Sequence, residues 1–159
     1  LGDTGLDPKH LKLEITETTL IQQAEKASRT LQEVREEGVK LSLDDFGTGY
    51  SSLAYLHKFP VDTIKIDRSF VQAMNGSPEG REIPRSIILL ANSLEMDVVA
   101  EGVETVEDAS WLITLGVQEG QGYFFAPPME LEDLVAGYGE KPAGPMPTTV
   151  LRQVGTRRC

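Results

Sequence analysis

The sequence predicts an α/β fold with a parallel sheet, on three observations. Short apolar runs of strand character alternate about five times with longer amphipathic stretches, and each parallel connection needs a crossover, which a helix supplies. Each strand-like run ends in a carboxylate or an amide, at Glu14, Asp44-Asp45, Asp67, Glu101 and Gln121. Polar groups at the carboxyl ends of successive parallel strands share one face of a sheet or barrel, where such folds place their chemistry. The length of 159 residues, 40% of them hydrophobic, is enough to bury a core. It is short of the ~250 residues of a closed eight-unit barrel, so the chain is expected to be part of a larger domain.

The elements follow in order. Leu11-Lys12-Leu13-Glu14-Ile15 alternates as a half-buried strand does. Thr19 and Gln22 have the spacing of a capping box, and Leu20, Ala24, Ala27, Leu31 and Val34 recur at helical intervals as far as about Glu37, before Gly38. A second strand from Val39 to Asp44 leads into a glycine-containing loop and a short helix from Ser52 to His57, which Pro60 prevents from continuing. Val61 to Asp67 reads as a third strand. Ser77 and Pro78 suit the cap and first turn of a helix whose apolar side holds Ile83, Ile87, Leu90, Ala91 and Leu94. Val98-Val99-Ala100 is a buried strand. Thr105 and Asp108 cap the next helix, Trp111, Leu112 and Leu115 form its apolar face, and Gly116 precedes a last strand near Val117 to Phe124. From Lys141 onward Pro142, Gly144, Pro145 and Pro147 precede an Arg-containing end. One domain is therefore expected over residues 1–138, followed by a flexible tail over 139–159.

Composition narrows the partners. A formal charge of −10 with no basic stripe argues against DNA or RNA, whose phosphates need such a stripe. An anionic ligand would need metal ions as mediators. The one cysteine, Cys159, has no partner, so neither a disulfide framework nor a thiolate metal site is expected, and a cytoplasmic location fits best. No apolar run approaches the ~18 residues of a membrane span, so no membrane contact is expected from this segment, although a longer parent could carry an anchor elsewhere.

The strand-end acids carry the chemistry. Oxygen ligands without histidine or thiolate support favour magnesium, manganese or calcium, and Glu14, Asp44 and Asp45 are the best ligand candidates. Two adjacent acids at one strand end can serve two ions, an arrangement that clamps the attacking and leaving oxygens of phosphoryl transfer. Lys65 lies two residues before Asp67, and strand alternation puts both on one face, where a cation can orient water or stabilise charge on phosphate. Glu101 and Glu104 flank Gly102-Val103, and either could accept a proton or hold a metal-bound water. Gln121 can only position. A strand-end acid by itself is more often the cap of the next helix; the register of five gives these residues their weight. Gly47 and Gly49 read equally as turn residues and as parts of a moving loop. Trp111 reads as core, and His10 and His57 as ordinary surface residues.

Taken together these motifs resemble the carboxyl-terminal two thirds of an EAL domain, the cyclic di-GMP phosphodiesterase family named for its Glu-Ala-Leu motif. The resemblance covers roughly Leu11 to Met129, through Glu14-Ile15-Thr16-Glu17, Asp44-Asp45-Phe46-Gly47-Thr48-Gly49-Tyr50-Ser51-Ser52-Leu53, Lys65-Ile66-Asp67, Ala100-Glu101-Gly102-Val103-Glu104 and Gln121-Gly122-Tyr123. It implies a partial TIM-like (β/α) barrel of about five units, and hydrolysis of cyclic di-GMP to linear pGpG with Mg2+ or Mn2+; the adjacent acids point to two ions, and calcium, with its looser and longer coordination, is expected to be inhibitory. By this carry-over Glu14, Asp44 and Asp45 bind metal, Lys65 orients the attacking water, and Glu101 is the general base or holds water. Asp67, Glu104 and Gln121 support the site. Glu17 braces the loop after Asp45, through which, with neighbouring helices, the family dimerises.

The resemblance is incomplete. The Glu-Ala-Leu motif, its nearby substrate-binding Arg and a metal-binding Asn belong upstream of Leu1, and Val117-Gln118 stands where the family usually shows Cys-Asp. Five units leave two sheet edges uncovered, so the chain alone is expected to be impaired, its missing strands coming from elsewhere in the parent, from a partner chain, or not at all. The competing reading is a catalytically inactive module that senses cyclic di-GMP. A barrel of the enolase kind shares strand-end carboxylates but acts on carbon acids, and the loop beginning Asp44-Asp45-Phe46 speaks against it.

Overall fold

The computed structural model describes residues 2–22, 24–48, 56 and 59–138. Five strands, β1 (Lys12–Thr16), β2 (Lys40–Phe46), β3 (Thr63–Ile66), β4 (Asp97–Glu101) and β5 (Glu119–Gln121), form one sheet whose spatial order is the chain order. Every pairing is parallel. A sheet that never reverses its strand order is the singly wound pattern of a barrel, whereas a doubly wound sheet reverses at a switch point. The connections carry α1 (Glu17–Gln22), α2 (Ala24–Glu36), α3 (Arg68–Ala73), α4 (Glu82–Ser93) and α5 (Val106–Thr114), and α6 (Leu131–Tyr138) follows β5.

The register sorts side chains between two faces. Leu41, Leu43, Ile64, Ile66, Val98 and Ala100 point to the helices and are buried with Leu20, Leu31, Val71, Ile87, Ile88, Ala91 and Leu112 in one cluster. The opposite face carries Lys12, Glu14, Ser42, Asp44, Thr63, Lys65, Val99, Glu101 and Gln121, which the pairings align across the strands. The sheet curls toward this polar face. The Lys12 ammonium on β1 lies 3.5 Å from a Glu119 carboxylate oxygen on β5, yet in a flat sheet these edge strands would be roughly 19 Å apart, beyond the reach of the two side chains.

Several boundaries differ from the sequence reading. The first helix opens at Glu17, ahead of the expected Thr19 cap, and the Thr19 hydroxyl instead hydrogen-bonds that of Thr16 at 2.9 Å. The third strand is Thr63–Ile66, and the last only Glu119–Gln121. Ser77 Oγ accepts from Gly80 N–H, and a 3-10 turn at Glu79–Arg81 precedes α4. Ile83 is consequently exposed in the first turn of α4, while Ile87 and Ala91 point inward as expected and Leu90 and Leu94 are half-buried. Trp111 is half-buried against the core, with the Arg81 guanidinium 6.0 Å from its ring centre. The helices α3 and α6 were not anticipated. The expected helix from Ser52 to His57 lies outside the described residues apart from Leu56, as does the expected tail. Among the described residues no helix is long and apolar enough to cross a membrane.

Candidate active site

Lys65 stands on β3, the middle strand, and its side chain is only 7% exposed. Its ammonium meets one carboxylate from each of three other strands. Nζ is 2.8 Å from Glu14 Oε2 on β1, 3.0 Å from Asp44 Oδ1 on β2 and 2.6 Å from Glu101 Oε1 on β4. The fifth strand joins through Gln121, whose Nε2 donates to the same Glu101 oxygen at 2.9 Å. Every strand of the sheet thus contributes one side chain to a connected polar cluster near the carboxyl ends.

The electrostatics follow from crowding three acids around one base. Burial alone would depress the Lys65 ammonium, but hydrogen bonds to Glu101, Glu14 and Asp44 prevail and raise its pKa above that of a free lysine. Burial pushes the Glu101 carboxyl up, the Lys65 charge pulls it down, and the Asp44 and Glu14 charges push upward again. The two directions agree once the stoichiometry is counted: one ammonium satisfies itself completely but cannot satisfy three carboxylates. Asp44 Oδ1 is buried, and the Lys65 ammonium at 3.0 Å is its compensation. Hard oxygen donors and surplus negative charge suit a divalent cation. Among the described residues no three acids already converge as a complete ligand set.

The adjacent pair Asp44-Asp45 owes its geometry to a bulge. Leu43 pairs with Ile64 and Phe46 with Ile66, so β2 carries one residue more than β3 over this interval. Asp45 absorbs it with φ of 54°, a left-handed conformation that Asp tolerates better than most residues. Phe46 thereby returns to the helix face and is buried, while Asp44 stays with Lys65 and Asp45 is exposed just beyond. The Asp45 carbonyl accepts from the Thr48 hydroxyl at 2.8 Å, which tightens the turn.

The remaining candidates surround this cluster without joining it. Asp67 lies one residue past β3 and caps α3, accepting from Ser69 N–H at 2.9 Å and from the Ser69 hydroxyl. Those bonds hold its carboxyl below the usual range. Glu104 is exposed and accepts from Gln72 Nε2 at 3.3 Å. Glu17 is buried. Its Oε2 accepts from Gly47 N–H at 3.0 Å, in the loop after Asp45, while its Oε1 has no partner.

One residue does more than its sequence pattern indicates. Asp108 completes the expected capping box with Thr105, but it is buried and also accepts from Asn75 Nδ2 at 2.9 Å and from Glu104 N–H at 3.3 Å. It therefore holds the loop between Glu101 and α5 to the turn after α3. Capping-box spacing shows the cap alone, because the Asn75 contact joins residues far apart in sequence.

The model of the EAL domain family matches residues 1–128. The chain is 42% identical over 149 residues to the cyclic di-GMP phosphodiesterase NbdA of Pseudomonas aeruginosa, covering 92% of this chain and 19% of that protein. The solved PaMucR phosphodiesterase in complex with c-di-GMP, from the same organism, matches with a TM-score of 0.81 at 40% identity, over 84% of this chain and 54% of that one. The manganese/cy-diGMP complex of Klebsiella pneumoniae BlrP1 matches with a TM-score of 0.73 at 38% identity, over 80% of this chain and 33% of that one. The chain thus spans about a fifth of NbdA and about half of the MucR phosphodiesterase chain. Its five parallel strands are part of a TIM-type barrel, and the chain belongs to the EAL domain family.

Proposed function

We propose that the protein to which this chain belongs hydrolyses cyclic di-GMP to linear pGpG. The observation that carries this reading is the Lys65 ammonium held within 3.0 Å of carboxylates from three other strands, in a chain similar to cyclic di-GMP phosphodiesterases. In the reaction a water oxygen bonds to phosphorus and the bond from phosphorus to the ribose 3′ oxygen breaks. The proton that water loses balances the new 3′ hydroxyl.

Glu101 is the proton acceptor in this scheme. Its carboxyl is a stronger base than a free Glu because burial raises its pKa, and Gln121 fixes the orientation of its Oε1. Lys65, held as the ammonium, cannot take that proton. It instead orients the attacking water. Glu14, Asp44 and Asp45 would hold Mg2+ or Mn2+, expected as two ions, which when bound make water more acidic and neutralise charge on the phosphoryl oxygens. Calcium is expected to occupy the same ligands but to support poor turnover, because its longer and looser coordination misplaces the water. Asp67 and Glu104 support the surrounding loops, and Glu17 braces the loop after Asp45, the expected contact surface of a homodimer.

The test is to incubate the purified parent with cyclic di-GMP and magnesium and to follow the product by chromatography. Formation of pGpG is expected. Saturable binding without pGpG would make the protein a sensor of the same nucleotide.

A further inference from the structure

We propose that Arg68 is a substrate-positioning residue, its guanidinium holding a phosphodiester group at the mouth of the site; the inference rests on the phosphodiesterase reading above. Arg68 opens α3, three residues after Lys65 on the same run of chain. Its stem lies on Gly102, the residue that follows Glu101. A Cβ added at Gly102 would stand 2.6 Å from Arg68 Cγ and 2.7 Å from Arg68 Cβ, and Gly102 has φ of 68°. Both facts require glycine there. The close approach anchors the base of the Arg68 side chain beside the proposed general base, although the side chain itself is exposed.

The charge balance gives this residue its role. A phosphodiester is an anion, and the face it must approach carries Glu14, Asp44, Asp45, Glu101 and Glu104 in a chain of net charge −10. Lys65 cannot serve as the phosphate anchor, because its ammonium is already shared among three carboxylates, and giving one up would leave a buried acid uncompensated. The Arg68 guanidinium, by contrast, makes no hydrogen bond or close ion pair with any described residue, although its charge acts on the neighbouring Asp67 carboxylate. A guanidinium not held in a close ion pair offers a planar fork that matches two phosphate oxygens, a geometry an ammonium does not reproduce.

The experiment uses the parent protein as wild type, Arg68→Met and Arg68→Lys. Methionine keeps much of the stem that packs on Gly102 and removes the charge, so a purely structural role would leave it near wild type. Turnover of cyclic di-GMP gives KM and kcat, calorimetry gives Kd, and thermal melting checks the fold. Arg68→Met is expected to raise KM and Kd about tenfold or more, with kcat changed no more than about twofold and the melting temperature unmoved. Arg68→Lys should recover part of the affinity. Unchanged KM and Kd in Arg68→Met, or a loss confined to kcat, overturns the assignment. A wild-type parent that binds without cleaving sinks the phosphodiesterase reading while Kd still decides the role of Arg68. A parent that does neither sinks both.

Discussion

The three acids around Lys65, whose side chain is 7% exposed, share one cation and depend on its charge. Lys65→Met should therefore abolish turnover and also cost about 2–3 kcal/mol in denaturant unfolding, since it leaves partly buried carboxylates repelling one another. Glu101→Ala should abolish turnover yet leave nucleotide binding largely intact; equal loss of both would make Glu101 structural. For Asp67 the pH dependence has a definite sign. Its native pKa lies below the ordinary value of 3.8 because of the Ser69 hydroxyl and N–H, so its stabilisation is complete above that value and disappears as pH falls through the lower native one. Asp67→Ala is expected to cost about 1 kcal/mol at pH 7, and melting curves should show the penalty narrowing toward pH 3. These residues were legible to different degrees. Strand alternation brought Lys65 to the acids, but it also placed Asp67 on the same face. Because β3 ends at Ile66, the capping bond prevails over the period-two pattern there.

At the scale of the element, the β2 bulge was invisible in the sequence. It depends on how β2 pairs with β3, and a run such as Leu43-Asp44-Asp45-Phe46 carries no record of its partner. The α3 helix, only six residues long, was missed for a related reason, since it is too short to show a period. The α5 cap was read correctly from Thr105 and Asp108 because both halves of the box lie within one turn. Thr105→Ala should cost about 1 kcal/mol. Asp108→Ala should cost about twice that, because it also leaves Asn75 Nδ2 and the Glu104 N–H without their acceptor. Urea titrations of the two variants check the ratio; equal losses would mean that the Asn75 contact contributes nothing.

The strand–helix alternation made the parallel sheet readable for the whole molecule, because a parallel connection demands a crossover. In the structure β1 and β5 are the sheet edges, and Leu13 on β1 is exposed, as are Tyr123, Phe124, Met129, Leu131, Leu134 and Val135 in the segment after β5. Expressed alone, the 159-residue chain should self-associate and turn over cyclic di-GMP far more slowly than the parent. Light scattering after size exclusion, with a parallel activity assay, checks this, and a fully active monomer would contradict it.

The contact between Lys12 and Glu119 bears on how such a domain could be divided. The two edge strands lean together across the polar face, so the curvature is already present in these five strands. The domain is therefore suited to split-protein complementation. The upstream part of the parent's EAL domain, supplied as a separate polypeptide, should restore turnover to this chain in trans, and Lys12→Glu, which sets two like charges across the curl, should weaken that rescue.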